Sequence, residues 1–147
     1  MKSRGVSMDI NSLDRFLVAQ ESMYETALKE IKNGRKRSHW IWYIFPQLRG
    51  LGRSNMSYVY GISGLEEAKA YLEHPVLSAR LNEICETLLE HKDKLTYEIL
   101  GDIDDMKLLS CMTLFSYISE KGSVFHNVLD SFYKNKIDKK TLELIRK

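Results

Sequence analysis

The sequence predicts a mainly α-helical protein: one compact multi-helix domain of about six to eight helices over residues 12–147, behind a flexible N-terminal stretch, residues 1–11. Three observations carry this expectation. Apolar residues recur at three- and four-residue spacing along most of the chain, and no run of alternating residues is long enough to build a sheet. Only two of the 147 residues are proline, and no low-complexity tract interrupts the pattern. Good capping residues stand where most periodic segments begin. The length suits one domain that buries about two-thirds of its unfolded surface.

The elements follow in chain order. The first helix starts near Ser12, a suitable N-cap, and ends at Asn33-Gly34, where glycine accepts the left-handed position after a helix. Leu13, Phe16, Leu17, Tyr24, Ala27, Leu28 and Ile31 form its apolar stripe. Trp40–Phe45 is too short for periodicity to separate helix from strand; Ser38 as a cap and Pro46 as a stop favour a short helix. Pro46–Ser54 is a loop with two glycines, and Asn55–Tyr60 reads as a helical turn. Ser63-Gly64-Leu65-Glu66 has the form of a capping box, opening a helix to about Glu73. Pro75 suits the first position of a longer helix running to about His91. Thr96–Leu100 is one turn. Asp102 can cap a helix to about Ser119, Ser123 one to about Asn135, and Asp138 a last one to Ile145. Segment 103–119 is apolar nearly all round, which marks the central helix of the core.

Composition limits the function classes. Net charge is +2, so anion binding must arise from a local patch and not from the molecule as a whole. Cys85 and Cys111 stand apart in apolar helical patterns with no CxxC, which points to buried, reduced thiols and a cytoplasmic location. Met1–Ile10 has no apolar core of a signal peptide, and Met8 offers an alternative start. The longest apolar run, Trp40–Phe45, is far too short to span a bilayer, so no membrane association is expected. His39, His74, His91 and His126 show no metal-ligand spacing; no metal and no cofactor is expected.

Against this ordinary background stands Arg35–Arg53, which holds no Asp or Glu although the chain has 20 of them. It contains Arg35, Lys36, Arg37, Arg49 and Arg53 together with His39, Trp40, Trp42, Tyr43 and Phe45. Guanidinium forks grip phosphate or carboxylate and rings stack on flat groups, so this mixture suits an anionic, partly planar ligand. One of the two Trp residues lines a cleft and the other anchors the core. The loop Arg49–Ser54 offers flexible, basic backbone for phosphate, but its spacing fits neither phosphate-loop nor dinucleotide fingerprint. Gln20 falls inside the apolar stripe of the first helix, where an unpaired amide costs about 1–3 kcal/mol. Either a structural partner such as a loop carbonyl satisfies it, or a ligand does. Beside it, Glu21 is a general base or a solvated helix residue, with Tyr24 one turn on. Cations around His39 favour its neutral form, which suits acid–base work; otherwise it is a first-turn residue. Lys107, Ser110 and Thr113 follow at three-residue steps on the central helix and are either structural or the floor of a cleft.

Several of these residues together resemble a known set. Leu13-Asp14-Arg15-Phe16, Ala19-Gln20-Glu21, Tyr24, Gly34–Trp40, Ile44–Leu48, Gly50–Ser54, Ala68–Leu72, His74–Leu77, Lys107-Leu108, Met112–Phe115, Val124-Phe125 and Leu129-Asp130 look like domain-of-unknown-function family 1810. The resemblance spans nearly the whole chain from about residue 12, with Cys111 where the family pattern suggests Ser. It implies a single, mainly helical domain of about this length and no assigned activity. Members often carry the label calpastatin, but true calpastatins are disordered inhibitors and this composition is that of a compact globule.

The expected function is therefore a cationic-aromatic pocket for a small phosphorylated or nucleotide-like ligand, either as a binding site alone or as an enzyme acting on that ligand. Arg37, Arg49 and Arg53 would hold the anion, and Trp40 or Trp42 the ring. Gln20, Gln47 and Tyr24 would set orientation, and Glu21 or His39 would serve as acid–base group. Two alternatives stand beside it: single-stranded nucleic-acid binding by stacking and phosphate contacts, and a protein-interaction or inhibitor module, which would show an exposed apolar patch.

Overall fold

A computed structural model describes residues 11–147, in which helix packs on helix and no strand is formed. The expected flexible stretch, and the alternative start at Met8, lie outside the described residues except for Asn11. Nine helices run along the described chain: α1 Asp14–Lys32, α2 Ile41–Ile44, α3 Asn55–Val59, α4 Leu65–Glu73, α5 Pro75–Leu89, α6 Thr96–Leu100, α7 Asp102–Tyr117, α8 Val124–Tyr133 and α9 Lys139–Ile145. The number passes the expected six to eight because α2, α3 and α6 are single turns of four or five residues. Among the described residues no helix is long and apolar enough to cross a membrane.

The core forms where α7, α8, α5 and α1 meet. Residues 108–116 of α7 are buried on every side except at Leu109, so this segment is the central helix the sequence predicts. The start of α7 is different: Ile103 is 73% and Met106 68% exposed among Asp102, Asp104 and Asp105, a correction to the expectation that all of 103–119 is core. From α1, Phe16, Tyr24, Ala27, Leu28 and Ile31 enter the core, while Leu13 and Leu17 pack at its edge.

Several caps behave as expected. The hydroxyl of Ser123 accepts the His126 N–H, an Asp138 carboxylate oxygen accepts the Thr141 N–H, and Pro75 opens α5. Others are corrected. Leu13, not Ser12, is the N-cap residue of α1, and the Ser12 hydroxyl accepts the Asp14 N–H one step later. Ser38 does not cap α2; Trp40 holds that position and the Ser38 hydroxyl donates to Glu30. The capping box at Ser63 does not form: Gly64 is the N-cap, and the Ser63 N–H donates to Glu67. Asp102 is the first residue of α7 rather than its cap.

Two features fix the loop that follows α2. Leu48 and Ile62 form a single parallel bridge, with Arg49 N–H donating to the Ile62 carbonyl and Ile62 N–H to the Gln47 carbonyl, each at 2.8 Å. At Gly61 an added Cβ would stand 2.6 Å from Arg49 Cα, so only glycine lets the two segments approach. The same region is tied to α1 by Arg15, a wholly buried guanidinium. It forms a fork–fork pair with Glu67 at 2.7 and 2.9 Å and donates to the carbonyls of Ser12, Val59 and Gly61. Burial disfavours the Glu67 carboxylate, but hydrogen bonds from Arg15 and Ser63 outweigh that and lower its pKa.

Candidate functional site

The basic-aromatic run does not build one site. Its first part turns around Glu30, whose carboxylate accepts the N–H groups of Arg37 and Ser38, the Ser38 hydroxyl and the Trp40 indole N–H, all within 3.0 Å. Burial favours the neutral acid, yet four donors win and hold the Glu30 pKa at about 2. Trp40 is thereby the core anchor of the Trp pair and is closed to any ligand. Lys36 lies over the Trp40 ring at 5.2 Å and pairs with Asp104 at 2.8 Å. Beyond it opens a cleft of about 590 Å³ between the loop Gly34–Arg37 and the α6 region, lined by Arg35, Lys36, Arg37, Lys94 and Tyr97 among others.

The second part of the run faces α7. Ile41, Tyr43 and Ile44 of α2 point into the core, and Trp42, between them in sequence, stays half-buried at the surface. The ammonium of Lys107 lies 6.0 Å from the Trp42 ring centroid and 3.7 Å from Asp104. Trp42, Gln47, Tyr60 and Lys107 line a recess of about 10 Å³, room for one water-sized group. Gln47 and Lys107 also line a wider cleft of about 420 Å³, whose apolar side is Leu51, Ile103 and Met106. Gly52 belongs to this wall: a Cβ there would meet the Ser57 side chain at 2.7 Å and stand 3.7 Å from Gln47 Nε2.

Gln47 is the unusual member. It is only 8% exposed, yet its amide makes no hydrogen bond to any described residue. No described buried side-chain N or O atom is both sealed from solvent and unpaired, so this amide reaches the cleft itself. Gln20 is the opposite case. At 2% exposure it donates to the Tyr43 carbonyl at 2.8 Å and the Tyr71 hydroxyl at 3.1 Å and accepts from Arg80 at 3.3 Å. Both amide protons and the oxygen are engaged, which fits a structural partner.

The other expected residues lie elsewhere. Tyr24 is buried, donates to Glu83, and carries Arg80 over its ring at 5.3 Å; burial and then Glu83 push its pKa up. Glu21 and His39 are exposed and line neither cleft. Arg49 stacks on Tyr58 at 5.0 Å and donates to the Tyr58 carbonyl and to Asn11. Arg53 is exposed, one residue beyond the Gly52 wall. Of the ten expected site residues, then, only Trp42 and Gln47 share a wall. Lys107, expected only as a structural or cleft-floor residue, completes it. Tyr60, Lys94 and Tyr97 were not singled out at all, because nothing local distinguishes them from other surface residues.

A family model described as "Protein of unknown function (DUF1810)" matches residues 10–145. The chain is similar to the crystal structure of the conserved hypothetical protein Rv1873 from Mycobacterium tuberculosis. The two are 42% identical, the match covers 95% of this chain and 99% of that one, and the TM-score is 0.90. A comparison with the curated proteins finds no match.

Proposed function

For this chain, which belongs to the DUF1810 family, we propose that the cleft lined by Gln47 and Lys107, with Trp42 in the recess beside it, binds a small, flat, phosphorylated or nucleotide-like anion. The observation that carries the reading is the Gln47 amide, nearly buried and without a described partner. A primary amide presents a donor and an acceptor side by side, which pairs with the amide edge of a base or a carboxamide. The apolar side formed by Leu51, Ile103 and Met106 suits the face of a ring, and the recess that Trp42 lines beside it has room for a water-sized group. Lys107 supplies the charge. Asp102 and Asp138 line the same cleft, so a ligand with few anionic groups fits better than a polyanion. The proposal is of binding: the expected acid–base groups Glu21 and His39 stand outside the cleft. Two free, buried thiols at Cys85 and Cys111 accord with a cytoplasmic setting.

The test is a thermal-shift screen of mono- and dinucleotides, ADP-ribose, NAD and sugar phosphates, run on the native chain, Gln47→Met and Lys107→Ala. A ligand at about 100 times its Kd adds about 2.7 kcal/mol. For 147 residues the unfolding entropy is about 0.31 kcal/mol/K, so the midpoint rises by about 9 °C. The expected result is a hit that both substitutions abolish. No hit with folded native protein, or a hit that survives both substitutions, overturns the reading.

A further inference from the structure

The larger cleft carries its own inference and shares no lining residue with the Gln47 cleft. Four cations line it: Arg35, Lys36, Arg37 and Lys94. The two carboxylates in the same wall, Glu30 and Glu98, form no ion pair with them among the described residues: Glu30 accepts from four neutral donors, and Glu98 accepts the Leu95 N–H at 2.8 Å. Lys36 has Asp104, but the side chains of Arg35 and Arg37 form no ion pair or hydrogen bond with a described residue. Lys94 reaches only the Gly34 carbonyl, at 3.5 Å.

The wall is shaped to admit that lysine. Gly34 has φ +79°, and a Cβ there would stand 2.7 Å from Lys94 Nζ and 3.4 Å from His91. Glycine therefore serves both the end of α1 and the space the ammonium occupies. Tyr97, half-exposed, adds a ring to the same wall. Backbone amides contribute little, because the N–H groups of residues 34–37 are all spent on carbonyls or on Glu30. Recognition would run through the guanidinium forks, which match phosphate oxygens two at a time. A volume near 590 Å³ is within the range of ligand sites.

We infer that this cleft is a second anion site, and that its ligand is a group of adjacent phosphates, held by Arg35, Arg37 and Lys94 with Tyr97 against any attached ring. Two sources share that chemistry, a free oligophosphate and the phosphodiester chain of a single-stranded nucleic acid, and the test separates them. Inorganic tripolyphosphate and a single-stranded oligothymidylate are titrated calorimetrically into the native chain, at ionic strengths of about 0.01 M and about 0.15 M, where the screening length falls from about 30 to about 8 Å. The variants are Arg35→Ala/Arg37→Ala, Lys94→Ala, Tyr97→Ala and, as a control outside both clefts, Lys69→Ala. All replace exposed side chains, and an unchanged melting midpoint verifies folding.

The expected result is binding that salt weakens, that drops about tenfold or more in the arginine double variant and in Lys94→Ala, and that Lys69→Ala leaves alone. Tripolyphosphate binding identifies a free oligophosphate as sufficient. Binding of the oligonucleotide alone, weakened by Tyr97→Ala, identifies the strand. If neither probe binds folded protein at the lower ionic strength, or if binding is as tight in the arginine double variant, the inference fails.

Discussion

Gln47→Met is expected to raise the stability of the protein measured without added ligand, while Gln20→Met lowers it. Both glutamines are nearly buried, at 8% and 2% exposure, so residue type and burial alone predict the same outcome for both. Their partners differ. An amide taken from water without a hydrogen bond costs about 1–3 kcal/mol in mutational data. The Gln47 amide still reaches cleft solvent, so the lower end applies, and a methionine of similar length fills the same space without that cost. The gain is about 1 kcal/mol. At about 0.31 kcal/mol/K for 147 residues, the midpoint rises by about 3 °C.

Removing the Gln20 amide instead strands the Tyr43 carbonyl and the Tyr71 hydroxyl, both in the core. Each orphan costs about 1–3 kcal/mol, and together about 2–6 kcal/mol, a fall of about 6–19 °C. Differential scanning calorimetry of the two variants beside the native chain reads both signs. If Gln47→Met falls as far as Gln20→Met, the Gln47 amide has a structural partner, and the observation on which the ligand site rests is wrong.

Three further outcomes follow from the structure. Glu67→Ala leaves the wholly buried Arg15 guanidinium without its carboxylate, which costs about 3–5 kcal/mol, or about 10–16 °C of thermal midpoint; a loss below about 1 kcal/mol would mean water or another group replaces Glu67 freely. The Glu30 pKa in the fold, about 2, lies below the unfolded value of about 4.3, so its ionised form adds stability above the unfolded value and loses it as pH falls toward 2. Urea midpoints between about pH 6 and pH 3 should accordingly vary less in Glu30→Gln than in the native chain, and an unchanged slope refutes the assignment. Burial raises the pKa of both cysteine thiols, with Cys85 Sγ against Met112 Sδ at 3.9 Å, so a thiol reagent should label neither until the chain unfolds; rapid labelling of the native protein contradicts that packing.

Helices were legible wherever the signal was local. Period marked α1, α5, α7 and α8, Pro75 marked a start by suiting the first helical position, and Ser123 and Asp138 marked starts because their cap bonds span only three residues. Two of the misread starts share one cause. The Ser38 hydroxyl donates to Glu30, eight residues back, and the Ser63 N–H to Glu67, and a charged acceptor outcompetes a local cap. The same long-range chemistry hid Arg15: no spacing announces a guanidinium whose carboxylate sits 52 positions away. Segment 103–119 went astray for a different reason. A helix apolar nearly all round reads as buried throughout, yet its acidic start places Ile103 and Met106 in a cleft wall.

The candidate site shows how far local reading reaches. Sequence alone located Gln20, Trp40, Trp42 and Gln47 as unusual, because amides and indoles near apolar stripes and cations need explaining. It could not divide them. Trp40 and Trp42 differ by two positions, yet one gives its N–H to Glu30 inside the core and the other meets Lys107 at the surface. Gln20 and Gln47 carry the same amide, and the division between them depends on Tyr43, Tyr71 and Arg80 arriving at one and not at the other. Those arrivals are set by how α2, α4 and α5 pack around α1, which periodicity does not encode. A polar residue in an apolar context therefore names a question, and only its hydrogen-bond partners separate a structural answer from an open site. Gln47 stays open on that criterion, with an indole and an ammonium in the same wall, which is why the ligand search begins there.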